Sequence, residues 1–212
     1  MLPLIALLGH RDTPTDGVED YCTFLGEALA RRGVRMEQIR VRWCEDGWLS
    51  ALRQLSSLSR EWRGKWVLLQ YTALGWSRRG FPLGVLAMLV ILRRRGARVA
   101  VVFHEPGRQD AGSRHIDRIR GAFQDWVVRR LYRGAAKAIM LDPLGKITWL
   151  PPNERKATII PIGANVPEPP ERSESNAELE DRRKTIRYVC EVPTTIEQRI
   201  FALARMIQQN LK

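Results

Sequence analysis

Cysteine is scarce in this chain, and its distribution excludes two chemistries at once. Cys22, Cys44 and Cys190 are odd in number and far apart, with no C-x-x-C pair, so neither a disulfide framework nor a thiolate zinc site is indicated. That usage fits a reducing, cytoplasmic compartment. His10, His104 and His115 contain no H-x-x-x-H spacing and make no case for a metal. No Walker loop and no G-x-G-x-x-G follows any apolar run, which weakens the ATPase and dinucleotide readings and leaves no cofactor signature. A G-x-S-x-G nucleophile elbow is missing too. So are long hydrophobic runs: the stretch from Phe81 to Gly96 is apolar for about 12 residues, against roughly 17–25 for a membrane-spanning helix. The apolar start, "LPLIALLG", has no basic flank or small-residue cleavage site and reads as a strand rather than a signal peptide.

Cations, in contrast, are abundant. Lys and Arg number 35 against 23 acidic residues, for a net charge of +12, and most of the cations are arginine. Such a balance suits an anionic partner: a phosphorylated substrate, an acidic lipid surface or nucleic acid. Trp62, Trp66 and Trp126 lie near arginines, yet no basic helix or RNA-binding motif organises them, so nucleic acid is the least favoured of the three. The Phe81–Gly96 stretch reads as a buried helix ending in Arg93, Arg94 and Arg95 and closed by Gly96. Those arginines also suit lipid phosphates, which keeps a peripheral contact with an anionic membrane open.

Along the chain, apolar runs of strand length alternate with stretches of helical period. Strands are expected at 4–9, 34–41, 65–72, 98–105, 137–142 and 157–163, with helices at 17–32, 48–60, 81–96 and 113–133 between them. In the last helix Ile116, Ile119, Phe123, Val127 and Leu131 fall at helical spacing and are expected to face the core. The alternation predicts βαβ units: an α/β, Rossmann-like parallel sheet with helices on both faces, over residues 1–166. A charged, proline-rich linker follows at 167–184. Residues 185–212 read as a strand and a helix, with Thr194 and Glu197 as a capping box and Ile196, Ile200, Leu203 and Ile207 on one stripe.

In an open parallel sheet ligands bind outside the carboxyl ends of the strands, so the residues just past each strand are the site candidates. After the first strand these are His10, Arg11, Asp12, Thr13, Asp16 and Gly17; after the third, Gln70, Tyr71 and Thr72; after the fourth, His104 and Glu105; after the last, Gly163 and Asn165. His104 is the most pointed of them. The run "VAVVFHEP" carries an imidazole to the end of a buried strand, where it can donate a hydrogen bond to a sugar or act as a general acid or base. Asp16–Gly17 permits a tight turn that would bring amides to an anion at the start of the next helix.

Taken in order, "PLIALLGHRDTPTDGVEDYCTFLGEALARRG", "VLLQYT", "ARVAVVFHEP" and "IIPIGANVP" resemble the N-terminal, acceptor-side half of a GT-B glycosyltransferase of the retaining, nucleotide-sugar-dependent kind. The resemblance covers roughly residues 3–168. It implies transfer of a hexose from a nucleotide diphosphate sugar to a polysaccharide or other polar, or lipid-linked, acceptor. By the same resemblance His104 orients the sugar, the first loop faces the donor phosphates, and no covalent nucleophile on the protein is implied. The chain departs from the family after the linker. "TIRYVCEVPTT" lacks the glycine-rich turn expected at the opening of a donor domain, and no glutamates stand eight apart beyond residue 168. A partner chain supplying the donor domain is therefore one expectation. The other is a non-catalytic remnant or binding module for an acceptor, a membrane surface or a partner chain.

Overall fold

A computed structural model describes residues 3–10, 16–104, 115–141, 147, 150 and 156–160, all within the compact unit Met1–Pro161. The expected linker and the strand and helix beyond it lie outside the described residues.

The apolar runs form six strands: β1 (Leu4–Leu8), β2 (Met36–Arg40), β3 (Trp66–Tyr71), β4 (Arg98–Phe103), β5 (Lys137–Met140) and β6 (Ala157–Ile159). All pair in parallel, in the order β2-β1-β3-β4-β5-β6. The connections carry α1 (Gly17–Ala30), the single turn α2 (Trp43–Asp46), α3 (Trp48–Leu58), α4 (Leu83–Arg94) and α5 (His115–Gly134). The fold is the expected Rossmann-like α/β arrangement. Its central strands are buried on both faces, which is why they read as unbroken apolar runs rather than alternating ones.

The chain leaves β1 toward β2 on one side and returns to place β3 on the other, so the direction of winding switches between β1 and β3. Right-handed crossovers then put α1 alone on one face and α3, α4 and α5 on the other. The packing follows. Ile5, Leu7, Val67, Leu69, Tyr71, Val101 and Phe103 meet Leu55, Met88, Leu92, Val127 and Leu131 in the larger core. On the opposite face Ala6 and Leu8 meet Cys22, with Val18, Tyr21 and Met36 against them. Each such side chain, once fully buried, contributes about 1.5–3 kcal/mol.

The helix ends carry the predicted punctuation. Gly33 follows α1 and Gly96 follows α4, both with positive φ (73° and 77°) that a side chain would strain. One expectation fails. The buried stripe of α5 is Gly121, Gln124, Val127, Val128, Leu131 and Tyr132, while Ile116 and Ile119 are exposed. Ile119 is turned away from the buried stripe, whereas Ile116 shares the side of Val127 and is exposed in the first turn of the helix.

Candidate functional site

The carboxyl edge of the sheet is different on its two faces. On the α3 side the crevice at the β1/β3 switch is closed by the protein itself. The amide of His10 and the indole Nε1 of Trp43 both donate to the carbonyl of Gly75, at 2.7 and 3.0 Å. Trp48 stacks on Trp43 at 5.1 Å, and Trp76 Nε1 donates to the Gln70 carbonyl at 2.7 Å. Gly9 packs directly on the Gly75 carbonyl, and a Cβ at Gly9 would collide with it. These contacts fill the space between Gly9 and Gly75.

The α1 side holds the polar groups. Residues 68 and 70 alternate with 67, 69 and 71 across the pleat, so Gln70 faces α1 while Tyr71 points into the larger core against Phe103. Gln70 is only 2% exposed. Its Oε1 stands 2.8 Å from Nε2 of His104, the residue that ends β4 on the neighbouring strand. The amide nitrogen of Gln70 has no hydrogen-bond partner among the described residues. A buried N–H group left unpaired costs about 1–3 kcal/mol, so a ligand group or an ordered water that accepts from it is favoured here.

His104 is half-buried, and the ring of Tyr21 packs against it at right angles, 5.2 Å between centroids. Burial pushes its pKa down from 6.5 to about 4, with the nearby Asp16 carboxylate opposing the shift. At neutral pH the ring is therefore uncharged. With Nε2–H donating to Gln70, Nδ1 is left as an acceptor. Such a ring is a poor proton shuttle near pH 7 and a good hydrogen-bonding surface. Burial also raises the Tyr21 phenol, and it pushes the Cys22 thiol up to about 12, with Asp16 adding to the effect, so that this cysteine is inert.

Asp16 caps α1. Its Oδ1 accepts from the amides of Val18 and Glu19 at 3.0 and 3.1 Å. Arg40, at the end of β2, reaches Asp16 Oδ2 at 3.5 Å and Glu19 Oε2 at 3.0 Å, and donates to the Gly9 carbonyl at 2.9 Å. The two amides that an anion at this helix end would use are thus occupied by the protein's own carboxylate. Replacing Asp16 with Ala is expected to lower stability by about 1 kcal/mol, read as a smaller urea midpoint at unchanged slope.

Of the expected site residues, then, the structure brings together Gln70, His104 and Asp16. Gly17 opens α1 and is exposed. His10 is exposed but sits on the other side of the edge, its ring 6.1 Å from Trp43. Tyr71 belongs to the core, and Thr72 Oγ1 accepts from the Gly75 amide at 3.0 Å. Arg11, Asp12, Thr13, Glu105, Gly163 and Asn165 lie outside the described residues. Tyr21 and Arg40 were not expected at the site. Arg40 has a signal that strand-end reasoning provides, since it closes β2 on the same edge. Among the described residues no cluster of His, Cys, Asp or Glu is arranged to hold a metal, and no helix is long and apolar enough to cross a membrane.

No protein-family model matches the chain, and no curated protein matches it.

Proposed function

We propose that this chain carries the acceptor-side domain of a glycosyltransferase-type protein and that the pair Gln70–His104 binds a hydroxyl group of a sugar. One observation carries the reading. A buried amide with its N–H donors unpaired lies beside a neutral imidazole, at the carboxyl edge of a parallel sheet. A sugar hydroxyl both donates and accepts, which matches a free amide N–H next to a ring nitrogen acceptor. The order of the four sequence segments supports the glycosyltransferase class. In that class the protein is cytoplasmic, meets the inner face of the membrane peripherally, and moves a hexose from a nucleotide diphosphate sugar to a polysaccharide or lipid-linked acceptor.

The capped start of α1 favours a second reading. With the Val18 and Glu19 amides held by Asp16, those two donors at the start of α1 are taken from a leaving diphosphate. A non-catalytic module that binds a polyhydroxyl ligand needs none.

Titration calorimetry on the purified chain separates sugar binding at Gln70–His104 from a structural role and from a donor-side assignment. Nucleotide diphosphate sugars are expected to bind weakly or not at all, and oligosaccharides to bind with an affinity that Gln70→Met lowers roughly tenfold, the loss of about one paired hydrogen bond. Micromolar affinity for a nucleotide sugar would place the donor on this half and reject the acceptor-side assignment. Sugar binding unchanged in Gln70→Met would reject the site.

A further inference from the structure

We infer that the outward face of α5 is a docking surface for an anionic lipid bilayer. Ile116, Ile119 and Trp126 are 49%, 56% and 43% exposed, Ile119 and Trp126 on the side of α5 turned away from the core and Ile116 in its first turn. Scattered exposed apolar residues are normal, but three large ones in register on one helix face leave hydrocarbon to be covered. Phe123 lies between them and packs on Trp126 at 5.6 Å and on Phe81 at 5.3 Å, which joins them into one ridge.

The charges around the ridge choose the occupant. Arg118, Arg129 and Arg130 are exposed, and the ion pairs among the described residues give none of them a carboxylate. Arg130 lies over the Trp126 ring at 5.5 Å. A bare cationic rim alone would suit any polyanion. Isoleucines at its centre gain nothing from phosphates, and their burial is favourable only where the anionic surface also offers hydrocarbon. An indole flanked by arginine, with an apolar body and a polar tip, is at home at the level of lipid headgroups. The Phe81–Gly96 stretch, whose arginines raised the membrane reading in sequence, puts Val85, Met88, Leu89 and Leu92 in the core and leaves two exposed large apolar residues, Leu83 and Val90, against the three on α5.

This inference names a partner for the protein proposed above but does not depend on sugar binding at Gln70–His104, so the two fail separately. The test is co-flotation of the full chain with phosphatidylcholine vesicles containing roughly a third phosphatidylglycerol, against pure phosphatidylcholine. Binding to the anionic vesicles is expected, at least about fivefold weaker in ~0.5 M NaCl. Ile116→Ser with Ile119→Ser is expected to lower it roughly tenfold, and Arg129→Glu with Arg130→Glu by a similar factor, at unchanged melting temperature because these side chains are exposed. Equal flotation with neutral vesicles, or none with either, would overturn the inference. So would a double-serine variant that floats like the natural chain, since that result describes a purely cationic surface suited to nucleic acid or an acidic protein.

Discussion

The double variant Gln70→Met with His104→Phe is expected to melt about 2–10 °C above the natural chain, because both partners of a costly polar pair are removed together. In the natural protein the Gln70 amide is buried in the core of the sheet, with no partner for its nitrogen among the described residues. Methionine fills nearly the same volume with no donor to satisfy, and phenylalanine keeps an aromatic edge-to-face contact with Tyr21. The gain is about 1–3 kcal/mol, the desolvation penalty of one orphaned group. Gln70→Met alone is expected to melt below the double variant, since it leaves Nε2–H of His104 unpaired. If the pair binds a sugar as proposed, the double variant loses oligosaccharide affinity as it gains heat resistance. Circular dichroism melts of the three proteins decide it. A double variant that melts at or below the natural temperature would mean that the amide is already satisfied and that the pair is structural.

The strands were legible in the sequence because β-branched and leucine-rich runs of the right length can hardly be anything else between helices of this spacing, and Gly33 and Gly96 mark where two of those helices stop. The face each residue takes was less so. "WVLLQYT" is apolar throughout because β3 is buried on both sides, so its alternation is masked and Gln70 and Tyr71 look like equal candidates. Only the pairing of β3 with β4, Gln70 opposite Val102, sets Gln70 beside His104 and sends Tyr71 to the other layer. In α5 the same ambiguity took another form: Ile116 shares the side of Val127 around the helix but stands exposed in the first turn, while Ile119 lies away from Val127 and Leu131 around it. Asp16 held a signal that went unused. A carboxylate immediately before a helix is first of all an N-cap, and an N-cap fills the amides that an anion would otherwise take. The short helix α2 has no capping side chain and no apolar repeat, and nothing in "WCED" announces it.

Acid is expected to destabilise this protein through His104 in a window where most carboxylates are still ionised. In the folded chain the ring stays neutral down to about pH 4, whereas in the unfolded chain it takes up its proton near 6.5. Between those values the unfolded state binds more protons than the folded one, so stability rises with pH across the window. The contribution is fully present above 6.5 and is lost as the pH falls toward about 4. The displacement corresponds to at most about 3 kcal/mol, and the ring's partial exposure brings the expected loss to about 1–3 kcal/mol. Urea denaturation at a series of pH values from neutral to about 4.5 measures it, with His104→Phe as the reference that cannot take up the proton. The natural chain should lose more stability than the variant over that range, and parallel curves would show that the ring is hydrated and titrates normally. Ligand binding should behave in the opposite way. A neutral Nδ1 is available in the folded protein throughout the same range, so oligosaccharide affinity is expected to stay level from about pH 8 down to about 5, where a histidine of ordinary pKa would already have exchanged its acceptor for a proton.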